Sequence, residues 1–217
     1  MYKKNILLIF IILIFQQSLL AETIKVFDFG EIEFAKLKIK KVRGADNKTK
    51  YSLGINENGN FIRSEAENAA SGLGKEINID LSRTPFLNIT WKVEKDLSGI
   101  NENIKKGHDY AARVFVIKKT GATPLSNRAM NYVYSSNNEI NSNQPSPYTK
   151  KSIDYVLSTT RENLNNWVTV KVNVKEHFKK FHNLDVTDIE GVAIMTDTDN
   201  SKKLAIAYYQ NIYFSSE

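Results

Sequence analysis

The chain has 217 residues, no cysteine, and a formal charge of +6 from 30 basic and 24 acidic side chains. That length allows one domain or two and is ample for a core. Without cysteine there is no disulfide framework, thiolate metal site, thiol nucleophile or lipidated cysteine anchor. A hydrophobic content of 41% excludes a wholly disordered chain.

The first 21 residues differ from the rest. Lys3 and Lys4 precede an unbroken apolar run from Ile6 to Phe15, and Gln16, Gln17 and Ser18 break that run before Ala21. This is the tripartite pattern of a secretory signal peptide, and the run is too short to span a bilayer. Cleavage is expected after Ala21, leaving residues 22–217 as a single domain in the periplasm or outside the cell. No second apolar stretch reaches spanning length, so no integral membrane span is expected after cleavage. Lys3 and Lys4 leave with the leader and the remaining lysines are dispersed, which argues against a nucleic-acid partner.

From Thr23 onward the hydrophobic period is two, the signature of strands with one face in a core. In chain order the expected strands are Ile24–Phe29, a segment around Leu37 and Ile39, Phe61–Glu65, Glu76–Asp80, Leu87–Val93, Ala111–Ile117 and Ala129–Tyr134. Ile153–Leu157, Val168–Val174, Gly191–Thr196 and Ala205–Phe214 complete them. Leu37 and Ile39 alternate with Lys36, Lys38 and Lys40, as in an edge strand protected by lysines. Only Lys175–Phe181 reads as a helix. Residues 94–108, 135–149 and 198–203 read as loops. Many short strands between Gly-, Asn- and Ser-containing turns predict an all-β chain, a β-sandwich or jelly roll with one short helix.

The sharpest polar cluster is Thr196-Asp197-Thr198-Asp199-Asn200. Asp197, Asp199 and Asn200 offer oxygen ligands to a hard cation such as a structural calcium. The alternative is that the aspartates cap a turn through their own backbone. Arg113 alternates with Ala112 and Val114 and so projects to the other sheet face beside Phe115. Its fork suits a carboxylate, phosphate or sugar ligand, or else an ion pair with Asp109 or Asp197. Lys92 and Tyr132 join Arg113, Asp197 and Asp199 as the expected ligand-binding set, since a tyrosine offers a ring to a pyranose and a hydroxyl beside it. Trp91 and Trp167 are assigned to the core. Catalytic patterns fail: there is no HExxH, no Gly-x-Ser-x-Gly elbow and no phosphate-binding glycine loop. Arg63, in an Arg-Ser-Glu strand like that of one polysaccharide lyase family, and a tyrosine such as Tyr209 are the residues an enzyme would use.

Several blocks resemble a bacterial exported family, domain of unknown function 3047. They are Trp91-Lys92-Val93, Asp109-Tyr110-Ala111-Ala112-Arg113, Asn131-Tyr132-Val133-Tyr134, Trp167-Val168, Ile194-Met195-Thr196-Asp197-Thr198-Asp199-Asn200 and Ala207-Tyr208-Tyr209. Phe61 to Gly74 is similar to its N-terminal block. This chain departs from the pattern at His108, where a second aspartate is common, at Tyr134 (tryptophan) and at Gln210 (glycine). The resemblance implies a fold similar to galactose-binding-like jelly rolls, which include carbohydrate-binding modules. The expected function is a non-catalytic module for a glycan or cell-envelope ligand. A jelly-roll polysaccharide lyase or hydrolase, and a structural envelope protein, are the alternatives.

Overall fold

A computed structural model describes residues 21–217; the apolar leader lies almost wholly outside them. Thirteen strands form two sheets. The six-stranded sheet holds β1 (Thr23–Lys25), β3 (Lys50–Asn56), β4 (Gly59–Glu67), β6 (Phe86–Lys95), β11 (Val168–Asn173) and β13 (Leu204–Ser215). Its main path runs β11-β6-β13-β4-β3, with β1 pairing β13. The seven-stranded sheet runs β2 (Lys38–Lys41), β5 (Ala70–Asp80), β12 (Asp188–Asp197), β7 (Ala112–Lys118), β8 (Arg128–Ser135), β10 (Thr149–Thr159), β9 (Asn143–Ser146). Pairing is antiparallel except between β8 and β10.

The sheets face each other because their alternating apolar positions must leave water. Ile62, Leu87, Ile89, Trp91, Val93 and Tyr209 of one sheet share a core with Leu73, Val114, Val116, Tyr132 and Ile194 of the other. Full burial of each large side chain contributes roughly 1.5–3 kcal/mol. Polar groups inside are joined across the sandwich. Trp91 Nε1 donates to Ser158 Oγ at 3.0 Å, Ser64 and Thr196 share a hydroxyl hydrogen bond at 2.7 Å, and Tyr209 Oη donates to the Met195 carbonyl at 2.5 Å.

The all-β expectation holds, and β2 is an edge strand with lysines on it. Local differences occur, and β3 and β9 lie where no strand was expected, β9 inside the 135–149 loop. The Ile24–Phe29 strand stops at Lys25, and Phe29 takes a left-handed φ of 51°. Val174 does not continue β11 but opens α3 (Val174–His182), because Asn173 caps it: its side chain accepts from the Glu176 backbone N–H at 3.1 Å. Two further single-turn helices occur, α1 (Glu31–Phe34) and α2 (Thr160–Asn163). Among the described residues no helix is long and apolar enough to cross a membrane.

Candidate functional site

The outer face of the seven-stranded sheet carries a cleft framed by buried polar groups. Alternation along β7 sends Ala112, Val114 and Val116 inward and Arg113 and Phe115 outward. Met195 pairs with Arg113 in the antiparallel register, so Asp197, two residues on, lies on the same face. Arg113 is only 4% exposed and grips Asp197 with both prongs. Its Nε donates to Oδ1 at 2.8 Å and its Nη2 donates to Oδ2. Nη2 also donates to the His108 carbonyl at 3.2 Å, and the guanidinium sits 4.8 Å from the Tyr110 ring centroid. The ion pair anticipated as one of two roles for Arg113 is therefore present and built into the sheet.

Around it lies a network of amides and acids. Asp109 accepts from the Asn200 backbone at 3.2 Å, from Asn200 Nδ2 at 2.8 Å and from the Ser201 backbone at 2.6 Å. Tyr148 donates its hydroxyl to Asn200 Oδ1 at 2.6 Å. Asp154 takes Asn131 Nδ2 at 2.5 Å on one oxygen and shares a 2.6 Å hydrogen bond with His108 Nε2 on the other. Glu102, almost wholly buried, accepts from Ser135, the Ser136 backbone, Asn137 and Asn138. Of these groups His108, Asn131, Tyr148 and Asn200 line a cleft of about 350 Å³, with Arg43, Phe115 and Asp199 among its other walls. A smaller cavity of about 130 Å³, lined by Tyr110, Asn143, Gln144 and Asp154, lies beyond the His108–Asp154 pair. Asn131 Oδ1 and Gln144 Nε2, on residues at the walls of the two cavities, are buried without a hydrogen-bond partner. Buried polar atoms are normally satisfied, so these two are exceptions within the network.

Burial acts on the acids here. It pushes the Asp197 carboxyl up to about 6; Arg113 opposes the rise and Asp109 adds to it. Burial also raises Asp199 and Glu102. Arg113 stays charged: burial pulls its pKa down, but Asp197 outweighs that.

The expected ligand set is only partly assembled. Arg113, Asp197 and Asp199 come together at the cleft. Tyr132 does not join them. It alternates with Met130 and Tyr134 on the inward face of β8, is fully buried, and packs against Tyr155 and His177. Lys92 lies on the outer face of the other sheet, over Tyr208 and Trp167. Trp167 is half-buried on that face rather than in the core. Arg63 and Tyr209 project to opposite faces of the six-stranded sheet, since Tyr208 is the residue paired with Arg63 and Tyr209 points into the core. The tyrosine beside Arg63 is therefore Tyr208, not Tyr209.

For a cation, Asp109, Asp197 and Asp199 bring one oxygen each within 4.8 Å of one another. Asn200 drops out of the expected trio because its Oδ1 accepts from Tyr148 and its amide nitrogen turns to Asp109. Asp197 spends both oxygens on Arg113. The Arg113 guanidinium already neutralises Asp197 at this cluster.

The family described as "Protein of unknown function (DUF3047)" matches residues 35–213. The chain belongs to that family. Its departures from the DUF3047 pattern are compensated locally. His108 pairs with Asp154, Tyr134 donates to the Asn163 carbonyl at 2.9 Å, and Gln210 donates to Asn56 and the Gly59 carbonyl at 2.9 and 3.0 Å. No curated protein is similar enough in sequence to count as a relative. Among solved structures, the chain is similar to the family 30 carbohydrate-binding module of the cellulosomal cellulase Cel9D-Cel44B of Clostridium thermocellum. That match has a TM-score of 0.51 at 9% identity and covers 90% of this chain and 98% of that one. Trichoderma harzianum endoglucanase 3, of family GH12, aligns with a TM-score of 0.46 at 8% identity, covering 90% and 97%. At such identities the first likeness establishes the sandwich fold and the second carries no argument.

Proposed function

We propose that this DUF3047 chain is an exported, non-catalytic binding module whose cleft holds a glycan or a related cell-envelope ligand. Export rests on the lysine-plus-apolar leader. The observation that carries the binding reading is the chemistry of the cleft wall. Tyr148 and Phe115 offer rings, while Arg43 and Asp199 offer polar groups. Sugars present alternating apolar faces and hydroxyls, which such a mixture suits. The fold shared with a carbohydrate-binding module supports the same reading.

Arg113 and Asp197 serve as the frame rather than the contact surface, because each is the other's partner. Direct contact falls to the more accessible residues. Tyr148 is 55% exposed, and Arg43 is exposed too. Tyr148→Ala and Arg43→Ala are expected to keep the thermal midpoint of the parent. Each is expected to weaken binding to the glycans the parent retains on an array by about tenfold, the equivalent of 1.4 kcal/mol. Unchanged binding in both variants would remove the ligand from this cleft.

A further inference from the structure

The outer face of the six-stranded sheet holds a second constellation that the cleft does not use. Trp167, just ahead of β11, Tyr208 of β13 and Phe61 of β4 form a triangle of rings. Centroids are 6.0 Å apart for Phe61–Trp167 and for Trp167–Tyr208, and 5.6 Å for Phe61–Tyr208. Their planes cross at 62–64°, and all three side chains are half-buried. Gly54 makes this possible. A Cβ there would lie 2.3 Å from the Phe61 ring, so the missing side chain lets that ring lie against β3.

Charged groups of both signs edge the triangle. Lys92 Nζ sits 4.3 Å from the Tyr208 centroid and 5.8 Å from that of Trp167. Arg63 pairs with Glu65 at 2.8 Å, and Tyr208 donates its hydroxyl to Glu94 at 2.5 Å. Lys50 also reaches Glu65, at 3.7 Å, so Glu65 is shared by two cations, Glu94 holds the Tyr208 hydroxyl, and the surface offers both donors and acceptors. A uronic or sulfated chain carries charge on successive residues and needs several unpaired cations to hold it. Arg63 and Lys50 are committed to Glu65, which leaves Lys92, over the rings, as the single cation here without a carboxylate among the described residues. An uncharged pyranose chain needs apolar ring faces flanked by both donors and acceptors, which is what this surface provides.

We propose that Trp167, Tyr208 and Phe61, with Lys92, Arg63 and Glu94, form a second binding platform for an uncharged polysaccharide. The cleft and the platform lie on the outer faces of the two sheets, so one molecule would bridge two glycan chains. The glycan class of the ligand rests on the reading of the cleft above; the platform itself stands on different residues.

The test is affinity electrophoresis through gels containing hydroxyethylcellulose, xyloglucan or polygalacturonate, with agglutination of polysaccharide-coated beads. The parent is expected to be retarded by a neutral polymer and to agglutinate beads coated with it. Trp167→Ala and Tyr208→Ala, compared at matched thermal midpoint, are expected to bind about tenfold more weakly and to lose agglutination. Because Trp167 is accessible and Trp91 is buried, the neutral polymer should also protect the parent's fluorescence from acrylamide quenching, which needs no variant. Retention unchanged in both platform variants, with no protection from quenching, overturns the platform. Preferential retention by polygalacturonate that Trp167→Ala abolishes overturns the neutral class. Loss with Trp167→Ala but not with Tyr148→Ala keeps the platform and removes the cleft reading and the bridging. Loss with Tyr148→Ala alone does the reverse for the two sites. A parent retained by none of the gels overturns both readings.

Discussion

At the residue scale, buried Asp197 and half-buried His177 pull the pH dependence of stability in opposite directions. Burial raises Asp197 from 3.8 to about 6, so between those values the folded chain holds a proton the unfolded chain has lost. Stability from this group therefore falls as pH rises from about 4 to about 6, with Glu102 and Asp199 acting in the same direction. His177 does the opposite. Burial lowers it from 6.5 to about 4, so the unfolded chain takes up the extra proton and stability falls as pH drops through that window. Burial lowers His182 as well. The two trends oppose each other over about pH 4–6. The parent's thermal midpoint is expected to vary little across that range. Asp197→Asn should expose the histidine trend, a midpoint that drops towards pH 4. His177→Gln should expose the carboxylate trend, a midpoint that climbs towards pH 4. Midpoints scanned in half-unit steps check both, and the same slope in all three proteins would refute the assignment.

At the element scale, alternation is the quantity that decides placement, and it was legible wherever a strand was uninterrupted. Trp167 shares parity with Thr169 and Lys171, the exposed side of β11, so the outward face was readable despite the usual preference of tryptophan for cores. Tyr132 was readable by the same rule from its neighbours Met130 and Tyr134. Two strands were harder to see. β3 carries its period in Tyr51, Leu53 and Ile55, but Gly54 interrupts it and Ile55 is exposed. β9 is a four-residue edge piece containing Pro145, within a stretch whose polarity reads as loop. Gly54 links this scale to the platform. Gly54→Ala places a methyl where the Phe61 ring lies, forcing a ring shift or a backbone shift that costs about 1–3 kcal/mol. A lowered unfolding midpoint in urea with an unchanged slope is expected, together with weaker retention by neutral polymer. Parent-like stability would mean the ring does not depend on that gap.

At the scale of the whole molecule, the cleft is assembled from segments far apart in the chain. Arg113 and Asp197 were legible as a pair because the two sharpest polar positions of the sequence lie on strands that a sandwich can bring together. Asp109 to Asn200 and Asn131 to Asp154 were not, since those contacts follow from which strands neighbour each other, here β12-β7-β8-β10, and period alone is silent on strand order. The assembled network decides what neutralises the buried acids. A cysteine-free chain has no covalent staple, so a structural cation would be the other external source of stability, worth RT ln(1 + [L]/Kd) to the folded state alone. Arg113 supplies that charge from within, bidentate to Asp197, while the backbone and amide of Asn200 and the backbone of Ser201 satisfy Asp109. Excess chelator at neutral pH is therefore expected to leave the thermal midpoint unchanged, and added calcium to raise it by less than a degree or so. A ligand at a hundred times its Kd would add about 2.7 kcal/mol, a rise of several degrees for a chain this size. A drop of that size on chelation would show that Asp109, Asp197 and Asp199 hold a metal alongside the guanidinium.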